Sequence, residues 1–86
     1  MNILLTGGAG YIGTHTAIEL IAAGHYVVII DNLSNSSREA VKRVEKIVGQ
    51  TIPFYQADVR DKAALDKIFT EHAIDGVIHF AGLKAV

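Results

Sequence analysis

Four glycines, Gly7, Gly8, Gly10 and Gly13, fall in the eight residues TGGAGYIG, directly after the apolar run Ile3, Leu4, Leu5. The spacing can be read as GxGxxG (Gly8, Gly10, Gly13) or as GxxGxxG (Gly7, Gly10, Gly13), and both ask for the same backbone. One glycine permits a sharp strand-to-helix turn, a second lets the main chain approach a pyrophosphate, and a third lets helix and strand pack closely. An anion there would rest on unpaired amides at the positive end of a helix, where an acidic side chain would repel it. No Asp or Glu occurs before Glu19. Gly8 to Gly13 also spells the GxxxxG of a P-loop, but Thr14 stands where that motif needs its phosphate-binding lysine.

Downstream, Asp31 closes a second apolar run at the distance expected of an acid that accepts hydrogen bonds from an adenosine ribose. Its charge would repel a 2′-phosphate, so the expected cofactor is NAD rather than NADP. The competing role for Asp31 is to start the turn over residues 32–36. Asp58, past the third strand, has the same two readings, a turn residue or a second wall of the crevice. Lys84 lies just beyond the carboxyl end of a strand, where ligands bind in open α/β sheets. Four histidines, His15, His25, His72 and His79, show no metal-ligand spacing, and there is no cysteine. His79 falls within a strand and reads as a packed core residue. No serine stands in a GxSxG elbow, so no residue of this stretch is a candidate catalytic nucleophile.

These groups need a scaffold, and the period of the apolar residues supplies one. Strands are predicted at residues 3–5, 26–30, 52–55 and 77–80, with three helices between them. The first helix carries Ala17, Leu20, Ile21 and Gly24 at helical spacing, Gly24 suiting the left-handed residue past its end. The second opens with Ser36 and Glu39 as a reciprocal cap, carries Val41, Val44 and Val48, and stops at Gly49. The third starts near Asp61 as N-cap, with Leu65, Ile68, Phe69 and His72 on one face. Such alternation implies right-handed βαβ units and a parallel sheet covered on both sides. This is the first half of a Rossmann-type, doubly wound α/β fold. Pro53 would cost a central strand a ladder hydrogen bond, which puts the third strand at an edge, as the order 3-2-1-4 does.

Bulk properties agree. Half of the 86 residues are hydrophobic, with mean hydropathy +0.31, which suits a sheet buried on both faces. Eight basic against nine acidic residues, with no basic stripe, give no footing for nucleic acid. No apolar run reaches the ~20 residues that span a bilayer, and the start lacks the features of a signal peptide, so a cytoplasmic protein is expected. At this length one domain is the upper limit, with a thin margin of stability. The sequence stops soon after the fourth strand and before the helix expected to follow it, and so reads as a piece of a larger domain.

In the stretches LLTGGAGYIGTHT, VVIIDNLSNSS, ADVRD and IDGVIHFAGLKAV, the chain resembles the extended short-chain dehydrogenase/reductases, and within them the branch that epimerises UDP-hexoses at C4. The resemblance covers all 86 residues. It implies that the amides of Tyr11 and Ile12 meet the NAD pyrophosphate and that Asp31, Asn32, Asn35 and Ser36 line the adenosine ribose. Asp58 and Val59 would edge the adenine, while Phe80, Ala81, Gly82 and Lys84 would run under the nicotinamide ribose. It further implies interconversion of UDP-glucose and UDP-galactose through a 4-keto sugar, in a homodimer. The YxxxK motif, the catalytic Ser or Thr and the uridine-binding segment of that family would all lie beyond Val86. The rival readings are another nucleotide-sugar enzyme, a dehydratase or decarboxylase, and a non-catalytic dinucleotide sensor that keeps the glycine loop without YxxxK.

Overall fold

Apolar runs of four to six residues alternating with amphipathic stretches form four strands and three helices in the computed structural model, which describes residues 1–7, 9–33 and 38–80. In chain order they are β1 (Asn2–Thr6), α1 (Tyr11–Ala22), β2 (Tyr26–Asp31), α2 (Arg38–Val48), β3 (Phe54–Gln56), α3 (Lys62–His72) and β4 (Gly76–His79). The strands make one parallel sheet in the order β3-β2-β1-β4. In its register Thr6 lies between Ile30 of β2 and His79 of β4, and Asp31 lies beside Gln56 of β3.

Because strand side chains alternate between faces, one sheet feeds two cores. Ile3, Leu5, Val27 and Ile29 meet Ala17 of α1 and Val41 and Val44 of α2. Leu4, Val28 and Ile30 meet Ile68 of α3 on the opposite face. Leu4, Leu5, Val28, Ile29 and Ile30 are fully buried, each contributing about 1.5–3 kcal/mol of hydrophobic stabilisation. The doubly wound architecture with helices on both faces therefore follows from two adjacent strands whose central residues, Ile3 to Leu5 and Val27 to Ile30, are apolar without alternation.

Local signals account for most element ends. Gly24 (φ +93°) follows α1, Gly49 (φ +73°) ends α2, and the Asp61 carboxylate accepts from the Ala64 amide at 3.2 Å to cap α3. Ser36, expected to cap the second helix with Glu39, lies outside the described residues. The third strand begins later than expected, at Phe54, because Pro53 has no N–H to donate. Its carbonyl still accepts from Ile29 N at 3.0 Å, and the strand is at the sheet edge as its proline requires.

Two packing expectations are corrected. Phe69 is 44% exposed, since Ile68 takes the sheet-facing position and Phe69 is turned ~100° further round the helix. His79 is exposed, not packed in the core. Its neighbour Ile78 enters the α1/α2 core, so His79 and Val77 project to the other face of an edge strand, where Val77 is 49% exposed.

Candidate nucleotide-binding site

At the carboxyl end of β1, Gly7 takes φ +72°, in the region that favours glycine, and its amide donates to Ile30 O of β2 at 2.8 Å. The chain then doubles back, Gly10 N donating to Gly7 O at 3.4 Å, before α1 starts at Tyr11. Gly10 is the N-cap and carries no side chain to accept the first amides, while the first turn holds no acid. Among the described residues the amides of Tyr11, Ile12 and Gly13 therefore meet no acceptor. The side chains of Tyr11 and Ile12 are 80% and 62% exposed, and the Tyr11 ring meets His15 edge-on at 4.5 Å. Gly13 is buried, as close approach of α1 to the sheet demands.

Among the described residues, a Cβ on Gly10 would meet only Gly7 O, at 3.6 Å, an ordinary contact. The fold itself leaves room for a side chain there. The glycine is thus better explained by something outside the protein approaching the backbone than by internal crowding.

Asp31, 7% exposed, closes β2 beside this loop. Its Oδ2 accepts from Ala9 N at 3.1 Å and its Oδ1 from Leu33 N at 2.7 Å. The bond to Leu33 fills the turn role expected as the alternative to ribose binding, and the bond to Ala9 ties the carboxylate to the glycine loop, a role the sequence did not suggest. Leu33 is held at φ +63°, a strained conformation for a branched side chain, by that bond and by packing against the α1/α2 core. Two accepted bonds leave two acceptor positions on the carboxylate for ribose hydroxyls. Asn32 follows it at the surface.

Past β3, Asp58 is turned back on its own segment. Its Oδ1 accepts from Arg60 N at 2.8 Å and Nε at 3.1 Å, and its Oδ2 from Nη2 at 3.0 Å. Those hydrogen bonds and the guanidinium charge hold its carboxyl at about 2. Asp58 and Val59 border the same end of the sheet, but among the described residues the Asp58 carboxylate bonds to Arg60 and Val59 packs against the α3-side core rather than the glycine loop. At the end of β4, Phe80 N donates to Thr6 O at 2.7 Å and the Phe80 ring packs against the α1/α2 core. Gly8, Asn35, Ser36, Ala81, Gly82 and Lys84 lie outside the described residues.

Gly7, Ala9, Gly10 and Asp31 are therefore brought together directly, with Asp58 and Phe80 at neighbouring strand ends. All lie at the carboxyl ends of the strands, the rim where open α/β sheets bind ligands, with Gly7 and Phe80 at the β1–β4 boundary where the strand order reverses. Three unpaired amides without an acid and one carboxylate with spare acceptors fit a dinucleotide's diphosphate and ribose. Sequence reasoning missed the Ala9 amide as a partner of Asp31, and it missed Thr6, whose Oγ1 bonds His79 Nδ1 at 2.5 Å. The signal for Thr6 was a hydroxyl at the end of an otherwise apolar strand. Among the described residues no three His, Asp or Glu side chains group as metal ligands, and no helix is long and apolar enough to cross a membrane.

A family model described as NAD dependent epimerase/dehydratase family matches residues 3–86. The chain is 58% identical over 86 residues to a UDP-glucose 4-epimerase of Bacillus subtilis, covering all of this chain and 25% of that protein. To a UDP-glucose 4-epimerase of Dictyostelium discoideum it is 63% identical over 85 residues, covering 99% of this chain and 25% of the relative. Among solved structures, the UDP-glucose 4-epimerase of Bifidobacterium longum in complex with NAD+ and UDP superposes with a TM-score of 0.93 at 51% identity, over 95% of this chain and 24% of that one. The chain thus spans about a quarter of the length of the relatives it matches.

Proposed function

The chain belongs to the NAD dependent epimerase/dehydratase family, and on that premise we propose that it is the NAD-binding part of a UDP-glucose 4-epimerase. The observation that carries the reading is the joined glycine loop and Asp31, with unpaired amides at Tyr11, Ile12 and Gly13 beside a buried acid. The relatives' names supply UDP-glucose as the substrate class, inversion of its C4 giving UDP-galactose, and the NAD+ bound to a neighbour beside UDP supplies the cofactor.

In this reading the amides at the start of α1 receive the diphosphate, and Asp31, Asn32, Asn35 and Ser36 line the adenosine ribose. Asp58 and Val59 edge the adenine through the outer part of the rim. Phe80, Ala81, Gly82 and Lys84 run under the nicotinamide ribose. Bound NAD would supply a transient oxidant, taking hydride from C4 of the sugar and returning it to the other face with no net redox change. The chain's own contribution is to hold and orient that cofactor. Its residues include no proton-transfer group assigned to the C4 hydroxyl, so we assign residues 1–86 to the N-terminal part of the NAD-binding domain and the sugar chemistry to residues beyond it. By family likeness we extend the reading to a cytoplasmic homodimer.

The test is the full-length protein: NAD content after purification, NAD affinity by calorimetry, and conversion of UDP-galactose to UDP-glucose. Tight NAD with measurable conversion is the expected result. NAD binding without conversion would favour the sensor, and a different product from the UDP-sugar would favour another enzyme of the family.

A further inference from the structure

Thr6 is 4% exposed, yet it ends a strand whose other inward positions are apolar. It makes two bonds across the β1–β4 boundary. Its carbonyl accepts from Phe80 N at 2.7 Å, and its Oγ1 bonds Nδ1 of His79, its register partner, at 2.5 Å. The next residue ties the other neighbour, Gly7 N donating to Ile30 O. Residues 6 and 7 thus join the carboxyl ends of β2, β1 and β4.

The two Thr6 bonds do different work. A ladder bond such as Phe80 N to Thr6 O is the same for every residue and so does not by itself choose a register. Register is chosen by side-chain pattern, and a slip of one residue reverses every side chain. In β4 that pattern is weak: four residues, one of them Gly76, with Val77 half exposed on one face and Ile78 partly buried on the other. The Thr6–His79 bond is specific to one pairing. It is also shielded on the Thr6 side, where water competes poorly with it.

We infer that the Thr6–His79 hydrogen bond is a register latch that fixes the end of β4 and with it Phe80, the residue read above as lying under the nicotinamide ribose. This rests on the NAD-binding reading. His79 and Thr6 are positioning residues here, since neither is assigned a contact with the cofactor. The adenosine half is held by α1 and Asp31 on the far side of β1, and the latch does not bear on it.

The test uses the full-length protein with Thr6→Val, His79→Asn and His79→Gln. Asparagine offers an acceptor near the position of Nδ1, whereas glutamine carries its amide out toward the position of Nε2. Two readouts are needed: amide hydrogen exchange at Phe80 in the NAD-free protein, and affinity for NAD beside ADP, which lacks both the nicotinamide and its ribose. Thr6→Val and His79→Gln should speed Phe80 exchange at least about tenfold, by freeing a strand end. They should also weaken NAD at least about tenfold while changing ADP less than about threefold. His79→Asn should recover both. Unchanged exchange and NAD affinity in Thr6→Val, equal losses for NAD and ADP, or recovery by Gln and not Asn would overturn the latch. Should Thr6→Val fail to fold, the Asn and Gln pair at exposed His79 decides alone. Wild-type protein that binds neither nucleotide would overturn the NAD reading, while the exchange measurement would still judge the latch.

Discussion

Asp31 at the end of β2 accepts a hydrogen bond from the amide of Ala9, 3.1 Å away in the glycine loop. Its other oxygen holds Leu33 at 2.7 Å. One buried carboxylate therefore ties the loop proposed for the diphosphate to the turn proposed for the ribose. The two halves of the proposed adenosine diphosphate site share one side chain.

Replacing that carboxylate should consequently affect folding and cofactor choice together. Asp31→Asn leaves one carbonyl oxygen for two amides, and an unmet buried donor costs about 1–3 kcal/mol. Chemical denaturation of the full-length variant should show a loss in that range. Wild-type protein should prefer NAD over NADP at least about tenfold, about 1.4 kcal/mol, and calorimetry should show that preference shrinking in the variant. Equal affinities in the wild type would remove Asp31 from the ribose.

Gly10→Ala separates fold from ligand. Its Cβ would meet Gly7 O at an ordinary 3.6 Å, and Gly10 has φ −77°, which alanine adopts freely. Melting should therefore stay within a few degrees of wild type, about the shift that 1 kcal/mol produces. NAD affinity should fall at least about tenfold, because the added methyl enters the space the pyrophosphate needs. Unchanged NAD binding would show that no phosphate approaches the loop at Gly10.

The Asp58–Arg60 pair predicts a pH window. Hydrogen bonds from Arg60, with its charge, lower the Asp58 carboxyl from 3.8 to about 2. A folded-state value below the unfolded one means that the pair's stabilisation is complete above pH 3.8 and is lost as pH falls through about 2. Arg60→Ala should return the Asp58 midpoint toward 3.8, followed by NMR of its carboxyl carbon. Added salt should narrow the shift in the wild type, since the pair is at the surface.

Ala73 ends α3 at φ +46°, where a Cβ is strained. The Asn2 side-chain amide donates to the carbonyls of His72 at 3.0 Å and Ala73 at 3.2 Å and holds the turn in place. Ala73→Gly should stabilise the protein by about 1 kcal/mol, read from urea midpoints at constant slope. A loss of stability would mean that glycine's extra freedom in the unfolded chain outweighs the relieved strain.

Much of this was legible in the residues. Leu4, Leu5 and Val28 to Ile30 are apolar without alternation, which only a sheet covered on both faces accommodates, and Pro53 on the third strand put that strand at an edge. The loop and Asp31 were legible because glycine spacing and the distance to an acid are properties of one βαβ unit, local in sequence. The rest depended on contacts between segments far apart in the chain. Thr6 and His79 are 73 residues apart, and nothing in either short stretch says that they pair. Whether Phe69 or Ile68 faces the sheet turns on where α3 comes to rest. Whether His79 is buried turns on which strand has a neighbour, and whether Asp31 starts a turn, braces the loop or does both depends on the placing of Ala9 beside it. Periodicity and turn chemistry are written in the order of the residues, because they act over one or two turns of chain. Register, edge exposure and the partners of a buried hydroxyl are decided by tertiary packing, because their energies exist only once distant segments meet.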